Sequence, residues 1–191
     1  ARYYPYETSM ASLLGFVGID NQGLAGVENY YDSYLKGKDG SLNYLMDAKG
    51  GLFPSTSSRV EAPVPGLTLR LTLSLPLQNL LEREMENAWL QYSPKEIIGI
   101  MMDPNTGEIL AIGNRPTYNN NYYNDYDPSI YNRSLPVFSS FEPGSTFKSL
   151  SFAAALNEHV IDMDKDYYYD KGYEIVGGAT IKSWKKGGHG L

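Results

Sequence analysis

The amino-acid sequence predicts an α+β protein built from two successive regions. Three features carry that expectation: the proline-rich run Ala62-Pro63-Val64-Pro65-Gly66, a strict leucine alternation directly after it, and a pair of apolar runs that precede a strongly apolar helix. The run at 62–66 is a stiff, extended connector, because proline fixes its own φ and drives its predecessor out of the helical region. It divides residues 1–62 from residues 63–191.

In the first region, Val27, Tyr30, Tyr31, Tyr34 and Leu35 recur at helical spacing within Gly23–Leu35, and Gly37 stands where a helix stops. Lys36–Gly40 reads as a turn, and the Gly- and Ser-rich remainder to Ser58 reads as irregular. The second region opens with Leu67-Thr68-Leu69-Arg70-Leu71-Thr72-Leu73, which predicts a strand with one buried face. Ser74 is placed to cap a helix that buries Leu77, Leu80, Leu81, Met85, Ala88 and Trp89.

Ile97–Met102 and Glu108–Ile112 flank Asp103-Pro104-Asn105-Thr106-Gly107, predicting a hairpin whose strands are central and largely buried. Pro116–Asn132, dominated by Tyr and Asn, is a long loop. Its tyrosines either offer flat faces to a glycan or pack on one another. From Ser145 a helix through Phe147, Leu150, Phe152 and Leu156 is apolar on more than one face, which predicts a buried central helix. Beyond Asp162 the chain reads as turn-rich and aromatic.

Composition removes several function classes. The 191 residues are 42% hydrophobic and 20% charged, as in a soluble globular protein, and carry a net charge of −6 with no basic stripe, which disfavours a nucleic-acid partner. The Lys182–Lys186 cluster reads as a solvated turn. There is no cysteine, so thiol catalysis, disulfides and cysteine metal sites are all absent. His159 and His189 lack the carboxylate spacing of a metal centre, and neither metal nor cofactor is expected. No signal-peptide pattern and no apolar run of about 18 residues is present.

Ser-x-x-Lys occurs three times, at Ser33/Lys36, Ser145/Lys148 and Ser183/Lys186, where about one chance match is expected. Lys36 sits at a helix end, where a cation suits the dipole. Ser183 lies in a charged, glycine-flanked segment with no helix behind it. Only Ser145 follows Pro-Gly and opens an apolar helix. There, i and i+3 share a face, so the Lys148 amine can reach the Ser145 hydroxyl and act as its base. Backbone N–H groups at the helix start, including that of Ser145, can hold a tetrahedral oxyanion. The competing local reading is a capping serine with a snorkelling lysine.

At this point the sequence resembles the class B penicillin-binding proteins, serine-acylating peptidoglycan transpeptidases, over nearly its whole length. Arg2-Tyr3-Tyr4-Pro5 and Gly23-Leu24-Ala25-Gly26-Val27-Glu28 are similar to motifs of that family's non-catalytic pedestal; Asp103–Ala111, Asn132-Arg133 and Phe141–Lys148 are similar to its catalytic block. Glu142-Pro143-Gly144 resembles the division and sporulation types. The resemblance implies a pedestal or dimerisation region over 1–62, then the N-terminal part of a transpeptidase α/β domain over 63–191. It implies a structural Arg2–Glu28 ion pair, Ser145 as nucleophile and Lys148 as general base.

It also implies stem peptides ending in D-Ala-D-Ala as substrate, β-lactams as ligands, morphogenetic partners for the pedestal, and an extracytoplasmic site on a membrane-anchored protein whose anchor lies outside this chain. The alternative role is a non-catalytic scaffold or β-lactam sensor. One departure is Leu71-Thr72-Leu73-Ser74, where the family has Leu-Thr-Ile-Asp. The other is that nothing after Lys148 matches the family's Ser-x-Asn or Lys-Thr-Gly. Ser41-Leu42-Asn43 is a coincidence of letters upstream, Lys185-Lys186-Gly187 lacks the hydroxyl residue, and Gly188-His189-Gly190-Leu191 resembles the stretch just before Ser-x-Asn. The expectation is a piece of a longer polypeptide, inactive by itself.

Overall fold

The structure, a computed structural model, describes residues 2–43, 59–132 and 134–190 and divides into two units, 1–140 and 141–191. The expected irregular stretch up to Ser58 therefore falls, from residue 44 onward, outside the described residues, as do Arg133 of the Asn132-Arg133 motif and the final Leu191.

The first unit begins with short helices α1 (Ala11–Leu14), α2 (Gly26–Tyr30) and α3 (Asp32–Leu35). The single helix expected over Gly23–Leu35 is thus broken. Tyr31 sits at φ −106°, ψ 20°, outside the helical well, and the Asp32 carboxylate accepts from the Gly23 N–H at 2.6 Å instead of capping a continuous helix. β1 (Ser41–Asn43) pairs antiparallel with β2 (Arg59–Glu61). The connector follows, held to the first region by reciprocal Lys38–Val64 backbone bonds of 2.8 and 2.9 Å.

Residues 67–73 do not form the expected strand. They run extended but without a ladder, and Leu67, Leu69 and Leu71 are exposed. The segment is tied at its two ends, through Leu67 N to the Tyr34 carbonyl at 2.8 Å, and through Thr72 Oγ1 to the Ile109 carbonyl at 2.6 Å and Ser74 N to the Leu110 carbonyl at 2.8 Å. Alternation marks extended backbone, but a strand needs a partner edge along its whole length.

Helix α4 (Leu75–Tyr92) starts after Ser74, whose side chain makes no capping bond. It buries Met85 and Gln78, half-buries Leu77, Leu81, Ala88 and Trp89, and leaves Leu80 exposed. Strands β3 (Ile97–Met102) and β4 (Ile109–Arg115) form the expected antiparallel hairpin, from Ile97↔Arg115 to Met102↔Ile109, with Gly107 at φ +77° in the turn. Gly99 and Gly113 are paired across it and face α4. A Cβ at Gly99 would lie 2.7 Å from Leu81 Cδ1, and one at Gly113 2.9 Å from Met85 Cε, so the two bare backbones set the close helix–hairpin approach. The strands are not central, however. The hairpin is a two-stranded sheet among the described residues, and Ile98, Ile100 and Met102 on its other face stay exposed.

The Tyr/Asn segment carries a 3₁₀ stretch (Asn120–Asp125), α5 (Pro128–Tyr131) and then α6 (Leu135–Phe138). It is pinned onto the N-terminal region. Tyr118 is buried, with its hydroxyl donating to the Ala11 carbonyl at 2.9 Å, and burial pushes its phenol upward. The Phe16 ring stacks on Tyr123 at 3.8 Å and meets Tyr118 and Tyr131 edge-on. Asn121 exchanges bonds of 3.0 and 2.9 Å with the Tyr4 backbone, and Asn120 Nδ2 donates to the Ala11 and Gly15 carbonyls. These ring faces are spent on Phe16 and on one another, so they offer no glycan platform; Tyr122 alone of this core's neighbours in the 3₁₀ stretch is strongly exposed, at 63%.

The second unit holds a 3₁₀ turn (Gly144–Thr146), α7 (Phe147–Asn157) and the hairpin β5 (Tyr173–Val176)/β6 (Ala179–Lys182), where the sequence predicts only turns. The expectation of a buried α7 is not met: Phe147, Leu150 and Phe152 are 53%, 63% and 61% exposed. Among the described residues of this unit, no second layer lies over the helix. Among the described residues no helix is long and apolar enough to cross a membrane.

Candidate active site

Ser145 and Lys148 straddle the junction between the 3₁₀ turn and α7. The backbone between them is helical, with Thr146 at φ −65°, ψ −26° and Phe147 at φ −64°, ψ −20°. The two side chains therefore leave one face of one helical turn. Both are exposed, and among the described residues neither has a hydrogen-bond or ionic partner. The start of α7 carries no acidic residue in its first turn, so no carboxylate competes for the N–H groups there.

The turn ahead of the helix has its own bracing. Gly144 is left-handed at φ +55°, and the Thr146 hydroxyl and N–H both donate to the Pro143 carbonyl. Sequence reading singled out the serine and lysine but passed over this hydroxyl, although Ser and Thr at helix starts are known to bond back to nearby backbone.

The two other Ser-x-x-Lys matches sit differently. Ser33 lies within α3, with Lys36 at its C-terminal cap. Ser183 follows β6, its N–H donating to the Gly172 carbonyl at 3.0 Å. Neither opens a helix.

Arg2 and Glu28 are brought together by α2. Arg2 Nε stands 2.9 Å from Glu28 Oε1, a second guanidinium nitrogen donates to Oε2 at 3.1 Å, and the Tyr4 hydroxyl donates to Oε1 at 3.4 Å. A forked guanidinium on a carboxylate held at a helix start is a positional clamp. The chain's last stretch is also tied down: Asp170 accepts from the backbone N–H of Gly172 at 2.8 Å and of His189 at 3.0 Å. Among the described residues no group of three or more His, Cys, Asp or Glu could hold a metal ion.

Comparison with known proteins gives a consistent pattern. Residues 97–190 match the family "Penicillin binding protein transpeptidase domain", and residues 1–71 match "Penicillin-binding Protein dimerisation domain". Stage V sporulation protein D of Bacillus subtilis is 46% identical over 190 residues, covering 100% of this chain and 29% of that protein. Peptidoglycan D,D-transpeptidase FtsI of Escherichia coli K12 is 34% identical over 160 residues, covering 84% of this chain and 27% of that one. Among solved structures, a peptidoglycan synthetase from Bifidobacterium adolescentis superposes with a TM-score of 0.78 at 28% identity, over 98% of this chain and 33% of that one. Penicillin binding protein 3 of Mycobacterium tuberculosis, complexed with aztreonam, gives 0.78 at 26% identity, over 100% and 38%. The chain thus spans about a third or less of the length of these two curated relatives.

Proposed function

The chain belongs to the class B penicillin-binding proteins, and on that premise we propose that the whole protein is a peptidoglycan D,D-transpeptidase working through an acyl-serine at Ser145. The observation that supports this reading is the placement of Ser145 and Lys148 on one turn at the start of α7, inside the stretch that matches the transpeptidase family.

The chemistry follows from those two groups. The Lys148 amine takes the proton of Ser145 as Oγ attacks the carbonyl of the penultimate D-Ala of a stem peptide. The oxyanion that forms faces the N–H groups at the helix start. Collapse breaks the D-Ala–D-Ala amide, and the terminal D-Ala leaves with the proton. An amine of a neighbouring stem then attacks the ester and forms the cross-link, and its own surplus proton passes to the departing Ser145 Oγ. A β-lactam enters the same first step, because its strained amide stands in for the scissile bond. Such a substrate places the protein outside the cytoplasm, carried by an anchor beyond this chain, with its N-terminal region free to meet morphogenetic partners.

Fluorescent-penicillin labelling of the whole protein tests the assignment. Ser145→Ala is expected to abolish the label and the release of D-Ala from a stem-peptide substrate. Labelling of Ser145→Ala at the parental level overturns it. Labelling of the parent without D-Ala release points instead to a β-lactam sensor or scaffold.

A further inference from the structure

We propose that the Tyr6–Met10 turn of the N-terminal region is a strained strap: Glu82 on α4 holds it seated, and its release frees α1 from α4 and the β3–β4 hairpin without unfolding either of them.

The strain lies in the backbone. Two residues of the turn sit in the left-handed region, Glu7 at φ +51° and Met10 at φ +58°. Residues with a Cβ avoid that region because the Cβ crowds the following carbonyl oxygen, and glycine alone enters it freely. The turn's own backbone bonds run from Glu7 N to the Tyr4 carbonyl at 3.2 Å and from Ser9 N to the Tyr6 carbonyl at 2.9 Å, and neither reaches Met10. A strained backbone persists only where its surroundings over-determine it.

Those surroundings come from the second region. A single oxygen, Glu82 Oε1, accepts from the Ser9 hydroxyl at 3.1 Å, from the Met10 N–H at 3.0 Å and from the Gln78 amide at 2.6 Å. Two of these bonds close on the strained end of the turn. The third ties the same oxygen to the side chain that pairs with Ile112 of β4. Asn120 N adds a weak bond of 3.4 Å to the Glu7 carbonyl. Ser9 and Met10 are buried under this contact, whereas Glu7 is exposed.

Met10 is also the residue on which α1 starts. Its carbonyl accepts from Leu13 N at 3.0 Å and from Leu14 N at 2.9 Å, so a change in the Met10 backbone removes the first turn of that helix. Strap and helix therefore move together. The backbone pulls toward release, and the carboxylate pulls toward seating with bonds about twice as strong as neutral ones. A partner that prefers the released N-terminal region shifts this balance by its difference in affinity for the two states.

Hydrogen exchange of the whole protein tests the strap, read at the Met10, Leu13 and Leu14 amides with the β3–β4 ladder as internal reference. In the parent the three amides are expected to exchange together, through an opening at least about tenfold more populated than that of the ladder. Glu82→Leu removes the acceptor, and protection of the three should fall about tenfold to a hundredfold with the ladder unchanged. Glu82→Gln keeps a neutral acceptor and should fall about half as far on a logarithmic scale. If Glu82→Leu strips protection from the ladder as well, Glu82→Gln decides alone.

Glu7→Gly tests the strain itself, at an exposed position that Glu82 does not touch. Glycine there is expected to raise protection of the Met10 amide about threefold to tenfold, because it takes positive φ without cost. In an unstrained turn the same change would lower protection, since glycine has more freedom to lose. Parental protection in both Glu82 variants, reduced protection in Glu7→Gly, or exchange of the three amides only together with the ladder overturns the proposal.

Discussion

Gln78 on α4 forms a two-way hydrogen-bond pair with Ile112 on β4: its Nε2 donates to the Ile112 carbonyl at 2.9 Å, and its Oε1 accepts from the Ile112 N–H at 2.9 Å. The side chain stands in for one residue of a neighbouring strand, along the edge of β4 that pairs with no strand among the described residues. Nε2 also donates to Glu82 at 2.6 Å, and Glu82 in turn accepts from the Ser9 hydroxyl at 3.1 Å and the Met10 N–H at 3.0 Å. One helix turn thus fastens the hairpin to the N-terminal region.

Gln78 is fully buried, so its loss cannot be repaired by water. Gln78→Leu keeps the bulk but leaves the Ile112 N–H and carbonyl unpaired. The expected cost is about 2–6 kcal/mol, from about one to three per orphaned buried group. Urea unfolding of the first unit measures it, and a midpoint within error of the parent would show that the pair contributes nothing net.

The Arg2–Glu28 clamp supports a second expectation. Arg2 is about a third exposed, while Glu28 is buried. Its contribution therefore lies between that of a surface pair and that of a fully buried one. Arg2→Ala is expected to destabilise by about 1–2 kcal/mol, leaving Glu28 with the weak Tyr4 bond alone. Arg2→Lys should recover less than half of that, because an ammonium cannot fork onto both oxygens. Full recovery in denaturant titrations would reduce the clamp to simple charge.

These tethers also explain what could be read in advance. The 97–115 hairpin was legible because its turn chemistry is local: Asp103 Oδ1 accepts from Asn105 N at 2.7 Å, and Gly107 takes the positive φ. The 173–182 hairpin had an equally local signal, Gly177-Gly178 between Ile175-Val176 and Ala179-Thr180, which the aromatic residues around it obscured. Leu67–Leu73 misled because alternation cannot say whether an edge is available to pair with. Apolarity around α7 likewise cannot say what lies over it. The buried tyrosines were ambiguous for a related reason: Phe16, their main partner, is about a hundred residues away in sequence. At the candidate site, the serine and lysine were legible as a motif, but the Thr146 bond depends on a turn geometry that letters do not specify.

Asp170 sets a pH dependence for the end of the chain. The Gly172 N–H foremost, then the Ser183 side chain and the His189 N–H, hold its carboxyl below the usual range against a smaller opposing effect of desolvation. A depressed folded-state value means the contribution is fully present above the unfolded value of about 3.9 and is lost as pH falls through the folded one. Loosening of the 170/187–190 contact is therefore expected only below about pH 4. The amide signals of Gly172 and His189 should titrate together in that window, and Asp170→Asn should remove the transition. Titration of those amides near neutrality would contradict the assignment.

The proposed role of Lys148 makes the sharpest kinetic prediction. Serine needs its proton removed as it attacks, and Lys148 is the only ionisable group one helical turn from Ser145 on its C-terminal side. Lys148→Met keeps the stem and deletes the amine. The β-lactam acylation rate constant is expected to fall on the order of 10²–10⁴-fold, the usual worth of a positioned general base. The non-covalent dissociation constant should move far less, since the amine acts on the proton in flight and not on the resting ligand. Raising the pH should also restore part of the lost rate in the variant, because hydroxide then substitutes for the missing base. If Lys148→Met instead weakens binding while the saturating rate constant is kept, the lysine serves as an anchor for the ligand's carboxylate, and the base must be sought outside this chain.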